Sequence, residues 1–364
     1  MAAPSEPETT ASNHHAALPV GVGAAIAAAV LFGISTPFAK LLLGRSVPPV
    51  LLAALLYLGS GLGLTALFFW RRARKDDEAP LTRADLPWLT GAVLFGGVLG
   101  PILLMVGLRA TPASTAALLL NLEGVFTSLL AWFVFKENFD RRIFLGMVVI
   151  VAGGLLLSWQ GSVTTLPLGA LAIAGACLCW GIDNNLTQKI SASNPFQVAA
   201  IKGAVAGTVN LGIALSLGAH LPAPPVIGGA LLVGFIGYGL SLAAFVLALR
   251  HIGTARTGAY FSLAPFVGAI VALLLLHEPL SSRFLIAAVL MAVGVWLHLT
   301  ERHEHTHTHD PLTHTHSHVH DAHHQHPHAP GIDPTEPHTH EHTHTRMRHK
   351  HPHYPDIHHR HTHE

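Results

Sequence analysis

The residues able to do chemistry in this chain fall into two groups, a few ionisable side chains inside apolar runs and a long histidine-rich tail. Glu123 lies about midway along the run ALLLNLEGVFTSLLAWF, beside Asn121 and Gly124. Asp183 and Asn184 lie in CLCWGIDNNL, and Lys202 follows in QVAAIKGAV. A charged group at membrane depth costs roughly 2.5–3.5 kcal/mol on insertion scales, so each demands a reason. With Tyr238 and Ser262, these residues are the candidate lining of a polar cavity for a solute or ion; Ser35, Thr36, Asn210 and Tyr260 add hydrogen-bonding groups. Glu123 would hold a cationic group or a proton and release it. The alternative is a buried pair, such as Glu123 with Lys202, that only fixes packing. Lys202 is expected to be structural or interfacial, because a lysine can snorkel. For Asp183, near a span end, both roles stand open. Glu137 and Glu278 adjoin loops, which suits a helix-end or gating role.

The tail carries twenty-three of the twenty-nine histidines, many in His-x-His steps. Alternate residues of an extended chain point the same way, so neighbouring imidazoles can share an ion. His303, His305, His307, His309, His314, His316, His318, His320, His338, His340, His342 and His344 are therefore candidate metal ligands. Imidazole suits divalent Zn, Ni, Co and Cu, with Asp310, Asp321, Asp333, Glu336 and Glu341 as oxygen donors. The fixed spacing of a folded zinc site is absent, so loose binding of several ions is expected. The tail is almost free of apolar residues and is expected to be disordered. Cys177 and Cys179 sit two apart, about 200° apart around a helix. They are expected to be core residues, not a shared metal site.

The elements that must position these groups follow from composition. Half of the residues are hydrophobic and only 11% are charged, where soluble domains carry roughly 25%. Such a chain must be solvated by lipid over much of its surface. Spanning helices need ~20 apolar residues. Ten candidate spans run near 19–43, 49–70, 87–108, 112–135, 143–160, 168–188, 197–218, 227–249, 254–276 and 283–300. The fold class predicted is an all-α membrane protein of ten helices, since lipid leaves no partner for unpaired backbone groups. The N-terminal lead lacks a basic signal region and the first span is expected to act as its own insertion signal. Basic residues from Arg71 to Arg256 crowd one set of loops, against Lys40, Arg45, Arg109 and Arg283 in the other. This bias places both termini in the cytoplasm.

The chain also repeats itself. LRATPASTAALLLNLEGVFTSLLAWFVFKENFDRRIFLG aligns without gaps on LRHIGTARTGAYFSLAPFVGAIVALLLLHEPLSSRFLIA at an offset of 141, matching Arg109 with Arg250, Glu137 with Glu278 and Arg142 with Arg283. LFGISTPFAK matches CWGIDNNLTQK at an offset of 148, pairing Gly33 with Gly181. Five spans per copy is odd, so the second copy must be inverted, an arrangement of alternating-access carriers with a midplane site. The division expected is a lead over 1–18, repeats over 19–160 and 161–300, and the tail over 301–364.

On these motifs residues 20–300 resemble the EamA-type members of the drug/metabolite transporter superfamily. The family shows a Leu-x-Pro-like step and a closing Glu. Here Leu263-Ala264-Pro265 keeps the proline, while Leu122-Glu123-Gly124 has glycine. The resemblance implies a ten-helix secondary carrier of small solutes with both ends cytoplasmic. No phosphate-binding loop occurs, which argues against ATP drive. No nucleophile–base pair argues for an enzyme, and no nucleic-acid partner is expected. The leading expectation is a small-solute carrier in the cytoplasmic membrane that needs no resident cofactor, with metal regulation assigned to the tail. The alternatives are a transition-metal transporter and a membrane-anchored metal buffer or sensor. Expected partners are the bilayer, the solute and a second copy in a homodimer.

Overall fold

The computed structural model describes residues 14–72, 81–134, 141–159, 167–190, 193–300, 304–309, 312–318, 338–344 and 347–352. The first half comprises α1 (His14–Leu43), α2 (Pro49–Arg72), α3 (Leu86–Ala92), a π-helical segment π1 (Val93–Leu99), α4 (Gly100–Ala110), α5 (Ala113–Leu119), α6 (Leu122–Phe133) and α7 (Arg141–Ser158). The second comprises α8 (Leu168–Gln188), α9 (Pro195–Ser216), α10 (Pro224–Val233), π2 (Gly234–Leu240), α11 (Ser241–Phe261), α12 (Ala264–Leu276) and α13 (Ser282–Leu299). Each predicted span falls on helix. Among the described residues seven helical stretches are long and apolar enough to cross a membrane, and Ala264–Leu276 and Ser282–His298 are shorter apolar helices. Large apolar side chains such as Leu155, Leu168 and Leu274 face outward, the surface expected of a lipid-solvated protein.

Helix starts follow local chemistry. Pro195 opens α9, and the Asn194 Oδ1 accepts from the Phe196 and Gln197 N–H groups at 3.0 and 3.1 Å. Ser281 caps α13 by accepting from the Phe284 N–H at 3.1 Å. Both supply partners for amides that lack one in the first turn. Some boundaries differ from the predicted spans. The expected span 112–135 breaks between α5 and α6, at Leu120–Asn121. The second half breaks likewise at Ser262–Leu263, before Pro265. A proline is therefore not required for that break. The expected connection after residue 249 is helical, because α11 runs on to Phe261.

The two halves are related by an approximate two-fold axis, visible in side-chain contacts. The Arg142 Nη1 donates to the Thr300 carbonyl at 3.1 Å, and the Arg283 Nη1 donates to the Trp159 carbonyl at 2.5 Å. Both pairs follow the offset of 141 and lie at opposite ends of the packed helices α7 and α13, so the second copy is inverted. The π segments, Val93–Leu99 and Gly234–Leu240, follow the same offset. Gly33 is pressed against Val267 and Gly268, and Gly181 against Phe126 and Thr127, again mates of one another. In this way α6 rests on α8 while α12 rests on α1, and the halves interleave.

Helices α2 and α9 cross on this axis with their backbones almost touching. A Cβ on Gly207 would lie 2.5 Å from the Leu58 nitrogen, whereas one on Gly212 of the same helix meets nothing within 4 Å. Small residues permit such approach in membranes. Gly207→Ala is therefore expected to lower stability by about 1–3 kcal/mol. Gly212→Ala should be neutral or gain up to about 1 kcal/mol from helix propensity. Thermal unfolding in detergent distinguishes them, and equal melting temperatures would contradict the packing argument.

In the tail, β1 (Glu304–His309) pairs antiparallel with β4 (Met347–Pro352), and β2 (Leu312–His318) with β3 (His338–His344). The two ladders share one register, which sets His307 opposite His349 and His316 opposite His340. Threonine alternates with histidine through much of β1, β2 and β3, and β-branched residues favour extended backbone. A two-stranded ribbon of this kind is marginal in water on its own.

Candidate functional site

Helices from both halves surround a cavity at the level of the two π segments. Its polar wall is Glu123 at the second residue of α6, Asp183 and Asn184 on α8, and Lys202 on α9. Its aromatic wall is Phe32 of α1, Tyr57 of α2, Trp180 of α8, Tyr238 of π2, and Phe245 and Phe261 of α11. The empty space is about 500 Å³, including the part open at its mouth.

The charges in this cavity are arranged in an ordered way. The Lys202 Nζ donates to both Asp183 carboxylate oxygens at 2.5 Å, and the Thr187 hydroxyl donates to Asp183 Oδ1 at 2.9 Å. Both partners are buried, with Lys202 only 2% exposed. Lys202 thus does not snorkel. Seven residues into α9, its stem is too far from the helix end, and a buried carboxylate waits within reach. The alternative pairing of Lys202 with Glu123 is likewise corrected: the ion pair forms with Asp183. Glu123 instead accepts from the Asn184 Nδ2 at 2.8 Å, which also reaches the Thr127 hydroxyl at 3.3 Å.

The π1 carbonyls hold the neighbouring walls. The Gly96 oxygen accepts from the Tyr57 hydroxyl at 2.6 Å and from the Trp180 Nε1 at 3.0 Å, and the Gly97 oxygen accepts from the Asn210 Nδ2 at 3.0 Å. A π turn shifts the backbone ladder and is frequent at functional sites. Gly96 itself must be glycine, since a Cβ there would strike the Asp183 side chain. Its repeat mate Gly237 faces Ser35 in the same way.

Not every candidate comes to the cavity. The Ser262 hydroxyl donates to its own helix at Gly258 O, 2.8 Å, and Ser262 is not among the lining residues. Asn121 is buried, with its amide donating to Leu118 O at 2.9 Å, and does not line the cavity either. Both sit at the breaks before α6 and α12, where a side chain bonds to nearby backbone instead. Cys177 and Cys179 are buried free thiols. Among the described residues no group of three or more His, Cys, Asp or Glu could hold a metal ion. His303 and His320 lie outside the described residues, as does Glu137.

Two matches to one family model, one over each half, decide the family. Residues 19–159 and, separately, 167–300 match the EamA-like transporter family. The chain belongs to the EamA-like transporter family. An uncharacterized transporter of Methanothermobacter thermautotrophicus is 31% identical over 291 residues, covering 75% of this chain and 84% of that protein. The uncharacterized inner membrane transporter YedA of Escherichia coli K12 is 24% identical over 285 residues, covering 76% and 91% respectively. A solved crystal structure covers 77% of this chain and 94% of its own, with a TM-score of 0.59 at 18% identity. That likeness concerns the fold.

In this EamA-like transporter a second polar cluster ties the halves together at the end opposite Thr300. The Glu278 carboxylate accepts from the Ala113 and Ser114 N–H groups at 2.7 and 2.9 Å and from the Ser114 hydroxyl at 2.5 Å. Lys40 donates to the Leu108 and Thr111 carbonyls at 2.6 and 2.8 Å. The contact joins the loop after α12 to the start of α5, which fits the helix-end role expected of Glu278. The aromatic wall was not singled out from sequence. One signal was present: Phe32 and Trp180 immediately precede the matched Gly-Ile pairs at the offset of 148.

Proposed function

We propose that the chain is a secondary, alternating-access carrier of a small organic solute, with the cavity around Glu123, Asp183 and Lys202 as its binding site. One observation carries this assignment to the site. The repeat mates of Glu123 and Asp183 are Ala264 and Ser35. The α2–α9 contacts of Gly61 with Ala204 and of Gly207 with Leu58 set an offset of 146 there, which makes Leu56 the mate of Lys202. At each of the three positions the opposite half thus builds the same local architecture with an uncharged residue, Ala264 in the second half and Ser35 and Leu56 in the first. The charges are not required by the fold, and burying them is costly, so a role in transport accounts for their presence.

In this reading Glu123 exchanges a cationic group or a proton as the halves rock, and the Asp183–Lys202 pair supplies opposite charges that can part transiently around a ligand. The lining contains neither His nor Cys, which makes a soft transition-metal ion a poor cargo. The loop bias in basic residues supports cytoplasmic termini in a cytoplasmic membrane. The density of histidines supports a separable second reading, control of the carrier by metal bound to the tail.

The test is reconstitution in proteoliposomes with a panel of radiolabelled solutes. The triple variant Glu123→Ala, Asp183→Ser, Lys202→Leu gives each position the uncharged residue of its repeat mate. It should insert and melt as a folded protein while uptake falls to the level of empty vesicles. Full uptake by that variant would remove the site assignment. Deleting residues 301–364 and adding Zn²⁺ tests the tail: unchanged uptake in every arm would remove metal control.

A further inference from the structure

We propose that the cavity selects an organic cation, a protonated amine or quaternary ammonium carrying an apolar or aromatic body. The proposal rests on the reading of this cavity as the carrier's binding site and names its substrate class.

The first argument is the charge balance. Asp183 and Lys202 neutralise each other, with the Nζ at 2.5 Å from both carboxylate oxygens. Thr187 takes a further position on Asp183. No ion pair to Glu123 is found among the described residues. Asn184 holds Glu123 Oε1 at 2.8 Å, which orients that carboxylate without cancelling its charge. The cavity therefore offers one carboxylate for a cation.

The second argument is the aromatic part of the lining. Phe32 is the hub of an aromatic cluster, with ring centroids 5.8 Å from Trp180, 5.6 Å from Tyr238 and 5.5 Å from Phe261. Tyr57 lies 5.5 Å from Tyr238, and Phe245 lies 4.9 Å from Phe261. Aromatic faces carry negative potential and attract ammonium groups, the more so when water is excluded. The same rings bury an apolar body. An organic anion would meet both Glu123 and these faces. A neutral polyol would find few polar partners on a wall of six aromatic rings.

The test uses the full chain in lipid nanodiscs and three probes that share one shape: 2-phenylethylammonium, 2-phenylethanol and phenylacetate. Calorimetric titration should show the ammonium binding about ten-fold or more tighter than either other probe, the gain of one charge-assisted contact. Glu123→Gln should reduce that preference to about two-fold or less, and Glu123→Asp should keep most of it. Should Glu123→Gln not be recovered folded, Phe32→Leu leaves the carboxylate in place and should weaken the ammonium about three-fold or more relative to the alcohol. Absence of ammonium binding, tighter binding of phenylacetate, or a preference that survives Glu123→Gln would each overturn the proposal. Selective ammonium binding without uptake into proteoliposomes would uphold the amine assignment and remove the carrier reading. Glu123-dependent uptake of some other solute, without ammonium binding, would do the reverse.

Discussion

Lys202→Met is expected to destabilise the protein by about 3–5 kcal/mol, because it leaves the Asp183 carboxylate buried without its cation. Asp183 is buried at 6% exposure, and among the described residues the hydroxyl of Thr187 is the other donor to its carboxylate. Gly96 packs directly against the same side chain, so Asp183 has little room to turn toward water. The double variant Asp183→Ser, Lys202→Leu should behave differently. It installs the residues that the other half carries as Ser35 and Leu56. Replacing a buried pair by packed neutral groups is often neutral or stabilising by about 1–4 kcal/mol. Unfolding in detergent should therefore rank the double variant well above the single one. If both lose stability equally, the cost lies in packing volume, and the charge argument fails.

Glu123→Gln should leave folding intact and lower transport about 10- to 100-fold. A hydrogen bond to a charged group is worth about 1.5–3 kcal/mol, and each 1.4 kcal/mol is about ten-fold. The amide oxygen of Gln can still accept from Asn184, which now lies 2.8 Å from Glu123, so the contact between α6 and α8 survives. The variant loses only the charge and the ability to exchange a proton. Initial uptake rates in proteoliposomes, measured beside Glu123→Asp, are the check. Gln at the wild-type rate would show that Glu123 serves packing alone.

The spans, the repeat and the position of Glu123 inside a span were legible because each depends on local composition. Apolar length marks a helix that crosses lipid, and matched charges such as Arg142 and Arg283 survive at helix ends. The role of that matched pair was not legible. Each arginine caps the carbonyl end of the other's helix, at Thr300 and Trp159, which requires knowing that α7 and α13 lie antiparallel in contact. The break before α6 was also hidden, since Gly124 stands where its mate Pro265 would have announced it. The expected placement of Ser262 and Asn121 in the cavity failed for a related reason. A polar side chain at a helix break has backbone partners at hand, and both residues take them.

By itself the sequence determined that this chain folds in lipid as two inverted halves, with a carboxylate at mid-depth in one of them. These properties depend on what each stretch of residues is made of. Only the tertiary structure decided which charge meets which. Lys202 could have reached for water or for Glu123, and the packing of both α8 and α9 against π1 gives it to Asp183. The consequence is that Glu123 shares an aromatic-lined cavity with no ion-paired cation of its own among the described residues. Coulomb energy falls with distance and rises as water is excluded, and both quantities are set by helix packing across the chain.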